Sequence, residues 1–281
     1  MSREPLVANT IAIIGAMEAE VAHLKTRLGS LKTHSFGKAA TIYTGTLHGK
    51  DIVLCQSGIG KVNAAIATTL VIEHFSPDCV INTGSAGGIG KGLQVGDVVI
   101  GTQVAHHDVD VTAFGYAIGQ VPQQPASYES EHSLVHAAER AAKVFQAAHI
   151  RQGLIVSGDQ FINDTFSIET ICREFASPQA VEMEAAAIAQ TCYQLGKPFV
   201  IIRAISDSAD SEASISFDEF LATAALHSAQ MVEELVKQPP PPRRAQEKGS
   251  LNTPFHFFGL PLSRPVYAVF RLPHASGNRA I

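Results

Sequence analysis

Short β-branched runs alternate along this chain with longer stretches of helical period, the pattern left by parallel strands joined through crossover helices. The expected fold class is therefore α/β. Ile11 to Ile14 is an unbroken apolar run and reads as the first strand. Gly15-Ala16 then turns into a helix whose Met17, Val21, Leu24 and Leu28 share one face, with Glu20 off that stripe near the helix start. Thr41 to Thr46 and Asp51 to Cys55 flank Leu47-His48-Gly49-Lys50 as a hairpin, which makes the sheet mixed rather than purely parallel. A helix over Asn63 to His74 precedes a buried strand at Cys79 to Asn82. Further strands are predicted at Asp97 to Gly101, Gly153 to Val156, Ala180 to Met183 and Phe199 to Ala204. Helices are predicted at Ser133 to Ala147, Ser167 to Phe175, Ala185 to Leu195 and Phe217 to Val236.

Two stretches lack a period. His107 to Tyr128, holding Gly, Pro, Phe and Tyr, reads as a long ordered loop with a binding or interface role. After Gln238 four prolines precede Arg243-Arg244, and no helical or strand pattern follows. Residues 239–281 carry six Lys or Arg against one acid, leaving fifteen basic and twenty-five acidic side chains before them. Such a basic tail could fold back on the acidic body or bind an anionic partner; disorder is the favoured reading. Residues 1–9 read as a short N-terminal arm.

With 281 residues, 46% of them hydrophobic, the chain can bury a large core, and composition alone leaves one or two domains open. A net charge of -5 gives no electrostatic footprint for nucleic acid over the whole chain. Apolar stretches long enough to span a membrane are missing, and Met1-Ser2-Arg3-Glu4-Pro5 lacks the basic-then-apolar pattern of a signal peptide, so the expected compartment is the cytoplasm. Cys55, Cys79, Cys172 and Cys192 lie far apart among apolar neighbours, and four buried, reduced thiols are expected.

The chemistry concentrates in Val181-Glu182-Met183-Glu184 and Arg203-Ala204-Ile205-Ser206-Asp207, where carboxylates stand in apolar surroundings. Burying an ionised acid without a partner is costly, so acids at strand ends point to a site. The bland alternative for Glu182 or Glu184 is an idle acid stabilised at a helix N-terminus. Three glycine-rich strand exits accompany them: Gly58-Ile59-Gly60-Lys61, Gly84 to Gly90, and Ser157-Gly158-Asp159. Gly60-Lys61 is no P-loop, because Val62 stands where a magnesium-holding Ser or Thr belongs, and Gly84 to Gly90 lacks the dinucleotide spacing. At the carboxyl ends of successive strands the three turns outline a ligand crevice. His106-His107-Asp108-Val109-Asp110 invites a metal reading, but with no matched zinc-like pair a loop of hydrogen-bonded polar residues is preferred.

Seven blocks in order carry a family resemblance. Gly15 to Glu20, Ser57 to Val62, Asn82 to Gly88, Asp110 to Tyr116, Ser157 to Asp159, Val181 to Glu184 and Arg203 to Asp207 together resemble the bacterial 5′-methylthioadenosine/S-adenosylhomocysteine nucleosidases, over residues 10 to 238. The resemblance implies a single-domain, nucleoside phosphorylase-like fold and a homodimer. It also implies hydrolysis of the ribose–adenine bond of methylthioadenosine and S-adenosylhomocysteine, with 5′-deoxyadenosine as a further candidate, in methionine salvage and with neither metal nor cofactor. Residue by residue, it makes Asp207, with Ser206 beside it, the acid at adenine N7, and has Phe161 and Ile162 hold the base edge through backbone groups. Glu184 grips the ribose hydroxyls and Met183 packs by the sugar. Glu20, Arg203, Ser85 and Glu182 position the attacking water, leaving open whether Glu182 is catalytic or supporting. Ala86, Gly87 and Phe217 join the substrate-binding set. Phe114 and Pro122, on loop 107–128, reach the alkylthio pocket of the partner, which Ile59 lines from its own subunit. Gln160 departs from the family pattern, where a small residue is expected.

The chemistry demands the same residue types. Cleaving an N-glycosidic bond builds positive charge on the sugar and negative charge on the purine, so an anion is needed near one and a proton donor near the other. Glu184 and Asp207 suit those tasks, with the Asp207 pKa expected to rise through burial beside Ile205. Glu20 suits the base that positions water, and would repel a phosphate nucleophile. A phosphorylase is the alternative enzyme, and a non-catalytic nucleoside-binding protein the alternative outside catalysis.

Overall fold

The computed structural model describes residues 10–143, 148–209 and 213–238. The expected arm, the last residues of the helix predicted to Ala147, and the tail from 239 lie outside the described residues. The elements run β1 (Thr10–Gly15), α1 (Glu18–Arg27), β2 (Gly29–Phe36), β3 (Ala40–Leu47), β4 (Lys50–Gln56), α2 (Lys61–Phe75), β5 (Cys79–Gly88) and β6 (Val98–His106). They continue with β7 (Tyr128–Glu129), α3 (His132–Ala142), β8 (Ile150–Ser157), α4 (Thr165–Glu174), β9 (Pro178–Glu182), α5 (Ala185–Gln194), β10 (Phe199–Asp207) and α6 (Ala213–Lys237).

All the described strands join one mixed sheet in the order β10-β6-β8-β9-β5-β1-β4-β3-β2, with β7 on the side of β6. β10 also pairs with β5, in parallel, so that β5, β9, β8, β6 and β10 close a ring. Helices cover both faces. Ile11 and Ile13 of β1 pack with residues of α1, α3 and α6, while Ala12 and Ile14 pack with α2 and α5. A strand buried on both faces needs no polar alternation, which is why β1 and β10 read as continuous apolar runs.

The hairpin forms as expected. Leu47 pairs with Lys50, and His48 (φ 50°) with Gly49 (φ 77°) makes a two-residue turn with both residues left-handed, matching the twist of β3 and β4. β2 was not expected. Its first five residues are exposed, so it is held by ladder bonds to β3 rather than by burial, and leaves no hydrophobic pattern to read. Gly84 to Gly88 belong to β5 and are not a strand exit: a Cβ on Gly84 would stand 2.3 Å from Arg203 Nη1 and 2.7 Å from Glu20 Oε1, so glycine here admits charged neighbours rather than turning the chain. Cys172 is exposed on α4, where Ile171 is the residue that turns inward; Cys55, Cys79 and Cys192 are buried. Loop 107–128 holds one 3₁₀ turn, Thr112–Phe114, whose first amide donates to Asp110 Oδ1 at 2.9 Å. No described helix is long and apolar enough to cross a membrane.

Candidate active site

A cavity of about 280 Å³ opens at the carboxyl ends of β1, β5, β8, β9 and β10. Its wall contains Glu20, Ile59, Ser85, Ala86, Gly87, Phe161, Ile162, Glu182, Met183, Glu184, Ser206, Asp207 and Phe217, residues far apart in sequence that the fold brings together. Ala16, Met17, Gln160 and Val181 complete it. Phe161 and Phe217 meet edge to face across 5.7 Å. Arg203 does not line the cavity but stands behind it, 1% exposed. Phe114 and Pro122 lie away from the cavity of their own chain, and Phe114 is 81% exposed.

Glu20 is buried although it lies off the apolar stripe of α1, because it sits at the helix start and turns into the cavity instead of the core. Its Oε2 accepts the Ala16 and Met17 amides at 2.8 and 3.0 Å, closing the helix start. Its Oε1 accepts the Ser85 amide at 2.9 Å and the Ser85 hydroxyl at 3.0 Å. Only that hydroxyl can swing away, so Glu20 has one acceptor position to give to a cavity molecule.

Glu182 is held differently. Its carboxylate accepts the Ser157 hydroxyl, the Glu184 amide at 2.9 Å, the Ala185 amide at 2.9 Å and an Arg203 guanidinium nitrogen. The Ser157 oxygen in turn accepts the Ala186 amide at 2.8 Å, which fixes its proton towards Glu182. Every acceptor position of Glu182 is thus taken, the one hydroxyl among its partners being held in place by the Ala186 amide, and the carboxylate sits at the N-terminus of α5. Glu184, the residue that starts α5, faces the cavity with one oxygen on the Gly60 amide (2.8 Å) and the other 3.4 Å from Arg203. Burial raises the Glu184 pKa; Arg203 opposes the rise, and the neighbouring Glu182 charge adds to it. Arg203, also bonded to Asn82 Oδ1 (2.8 Å) and the Ser85 carbonyl (3.2 Å), has its own pKa raised: burial acts to lower it, but the charges of Glu182, Glu184 and Glu20 win. Asn82 carries no charge to draw attention in the sequence, yet it ties this guanidinium to β1 through the Ile14 carbonyl at 2.8 Å.

At the opposite wall Asp207 accepts the Ser206 hydroxyl (2.8 Å) and the Ala209 amide (2.8 Å), which set its carboxyl plane. In the histidine-rich motif, Asp108 accepts the Lys61 ammonium and the Asp159 amide, and His106, the last residue of β6, meets Gln190 with Nε2 at 2.9 Å. Among the described residues no group of three or more His, Cys, Asp or Glu has the geometry to hold a metal ion. None of the cavity-lining residues is basic.

Residues 10–237 match the model of the phosphorylase superfamily. The chain is 52% identical over 228 residues to the 5′-methylthioadenosine/S-adenosylhomocysteine nucleosidase of Anoxybacillus flavithermus, covering 81% of this chain and 98% of that protein. Among solved structures, the nucleosidase of that name from Neisseria meningitidis, in complex with methylthio-immucillin-A, is 62% identical with a TM-score of 0.80, over 82% of this chain and 99% of that one. The Colwellia psychrerythraea enzyme, in complex with adenine, is 45% identical with a TM-score of 0.80, over 83% and 96% of the two chains. With a closed five-strand ring, an acid-lined cavity at its strand ends and relatives this similar over nearly their whole length, the chain belongs to the phosphorylase superfamily and, within it, to the 5′-methylthioadenosine/S-adenosylhomocysteine nucleosidases.

Proposed function

We propose that the protein hydrolyses the N-glycosidic bond of 5′-methylthioadenosine and S-adenosylhomocysteine, and of 5′-deoxyadenosine, releasing adenine. The observation that carries this reading is the charge of the cavity: Glu20, Glu182, Glu184 and Asp207 line it with no basic side chain, and Arg203 behind the wall is committed to two of those acids. A phosphate dianion would meet net negative charge there, one Arg203 standing against four acids, whereas neutral water and a sugar becoming cationic are both served by it. Relatives solved with adenine and with methylthio-immucillin-A support the substrate class.

The steps follow from these positions. Asp207, oriented by Ser206 and the Ala209 amide, delivers a proton to purine N7 as the glycosidic bond lengthens. Glu184 accepts the ribose hydroxyls and its negative charge steadies the developing oxocarbenium. Glu20, releasing the Ser85 hydroxyl, accepts a proton from the water that attacks C1′, and Ser85 remains to orient that water. Phe161 and Phe217 close over the base, while the saturated Glu182 keeps Arg203 and the start of α5 in place.

The same reading makes the active form a homodimer in which loop 107–128 completes the partner's cavity. Support comes from apolar side chains left in solvent beside it: Phe114, with Val62, Ile66 and Ile59 around the start of α2, is exposed. It also puts the enzyme in methionine salvage in the cytoplasm. Incubation with methylthioadenosine in phosphate-free buffer tests the central claim. Adenine and a reducing thioribose are expected; a strict phosphate requirement with ribose 1-phosphate chemistry would establish a phosphorylase, and no turnover a binding protein.

A further inference from the structure

Three hydrogen bonds close a ring beside the cavity. The Lys61 backbone amide donates to Asp159 Oδ1 at 2.7 Å, the Asp159 amide donates to Asp108 Oδ2 at 2.9 Å, and the Lys61 ammonium pairs with Asp108 Oδ1 at 2.5 Å. The three residues follow three different strands, β4, β6 and β8. The two ion-paired side chains are 18% and 16% exposed, while Asp108 and Asp159 as whole residues are exposed, so the ring lies at the protein surface and draws its weight from three linked bonds rather than from burial.

The ring meets the site through the start of α2. That helix has no side-chain cap and no acid in its first turn, and Gly60 before it has φ 95°. Its free amides are satisfied from elsewhere: Gly60 by Glu184 and Lys61 by Asp159. On the other side, Asp159 leads directly into Phe161 and Ile162. Gly158 lets the strands approach, since a Cβ there would lie 2.5 Å from the His107 ring and 3.1 Å from Asp108 Cβ. A displacement of Asp159 therefore moves the base-side loop and the Gly60 amide together.

We propose that Lys61, Asp108 and Asp159 form a positioning clamp that fixes the base-side loop at Phe161 and Ile162 relative to the Gly60–Glu184 contact, and so sets nucleoside affinity without touching the reacting atoms. The inference rests on the nucleosidase reading for its kinetic part only. Burial pushes the Asp108 carboxyl up, but the bonds from Lys61 and Asp159 outweigh it and hold it below the ordinary range, as a stabilising ring requires. Asp108 also roots loop 107–128, so the clamp links the seating of that loop to the base pocket.

The test compares the full-length protein with its Lys61→Met, Lys61→Arg and Asp108→Asn variants by methylthioadenosine kinetics, inhibition by free adenine, and amide hydrogen exchange over residues 57–63 and 158–162. Lys61→Met and Asp108→Asn are expected to raise KM and the adenine inhibition constant together by about tenfold, with kcat within about threefold, the pattern of lost binding outside the reacting atoms. Exchange should rise in both segments in each variant, and Lys61→Arg should recover most of the affinity. Failure of the wild type to release adenine would sink the nucleosidase reading, while exchange would still judge the clamp. The clamp is overturned if exchange over 158–162 stays at the wild-type level in Lys61→Met and Asp108→Asn, if kcat falls with KM unchanged, or if Lys61→Arg is no better than Lys61→Met.

Discussion

Replacing Glu182 by glutamine separates a supporting carboxylate from a reacting one. The carboxylate accepts bonds from Ser157, the Glu184 and Ala185 amides and Arg203, all buried. Glutamine keeps one acceptor oxygen and turns the other into a donor, so at least one of these groups faces a like donor. Two charge-assisted bonds at about 1.5–3 kcal/mol each are weakened, and Arg203 keeps only Glu184, at 3.4 Å, as a facing carboxylate. Altering one side of a buried pair typically costs about 3–5 kcal/mol, which at about 2–4 °C per kcal/mol for a domain of this size lowers Tm by roughly 10 °C. The folded variant should keep kcat within about tenfold of wild type, because no reacting atom is lost. Loss of the Glu182 charge also removes one of the effects raising the Glu184 pKa, so the acid limb of the activity profile should move to lower pH. Thermal unfolding and adenine release across pH, measured on the same preparations, decide the matter. A Tm within about 2 °C of wild type with kcat reduced more than about 100-fold would refute the supporting role and make Glu182 a reacting group.

Other substitutions test the remaining roles. Asp207→Asn keeps an oxygen for the Ala209 amide but has no acidic proton to deliver; kcat should fall by about 10²–10⁴ while calorimetric nucleoside binding stays within about threefold, and equal losses in both would make the residue structural. Glu20→Gln should lower kcat by about 10²–10³ with a smaller change in KM, since water rather than substrate loses its base; a change confined to KM would contradict that assignment. Glu233 on α6 gives a stability prediction away from the site. Burial acts to raise its pKa, but hydrogen bonds from Arg27, His48 and His23 prevail and hold it at about 2, against 4.5 ordinarily. A depressed folded pKa stabilises fully above pH 4.5, and that stabilisation is lost as pH falls through 2. The shift corresponds to about 3 kcal/mol, reduced to about 1–2 kcal/mol because the three partners are partly exposed. Glu233→Gln should therefore lower Tm at pH 6 by about 3–6 °C and flatten the acid dependence between those limits, whereas an unchanged pH profile in the melting curves would refute the linkage.

Local sequence determined a good deal. The apolar runs at Ile11 to Ile14 and Phe199 to Ala204, and the helical periods between them, specify the α/β class, because side-chain periodicity is dictated by backbone geometry and survives any tertiary arrangement. His48-Gly49 specifies its turn for the same reason. The family pattern also carries the identities of the cavity residues: thirteen of the residues it assigns to the site line the cavity. Tertiary structure decided how those residues are placed and bonded. β2 exists because β3 offers it a ladder, and Gly84 of β5 is glycine because Arg203 and Glu20 occupy the space a side chain would take. Glu182 and Glu184, two positions apart and chemically identical, part company only when Ser157, Arg203 and the start of α5 fill every acceptor of one and leave the other facing the cavity. Asn82, Ser157, Lys61, Asp108 and Asp159 all stand in motifs visible in the sequence, but their bonding is not visible there, since a hydrogen bond depends on distance and direction between groups that are 25 to 121 residues apart along the chain.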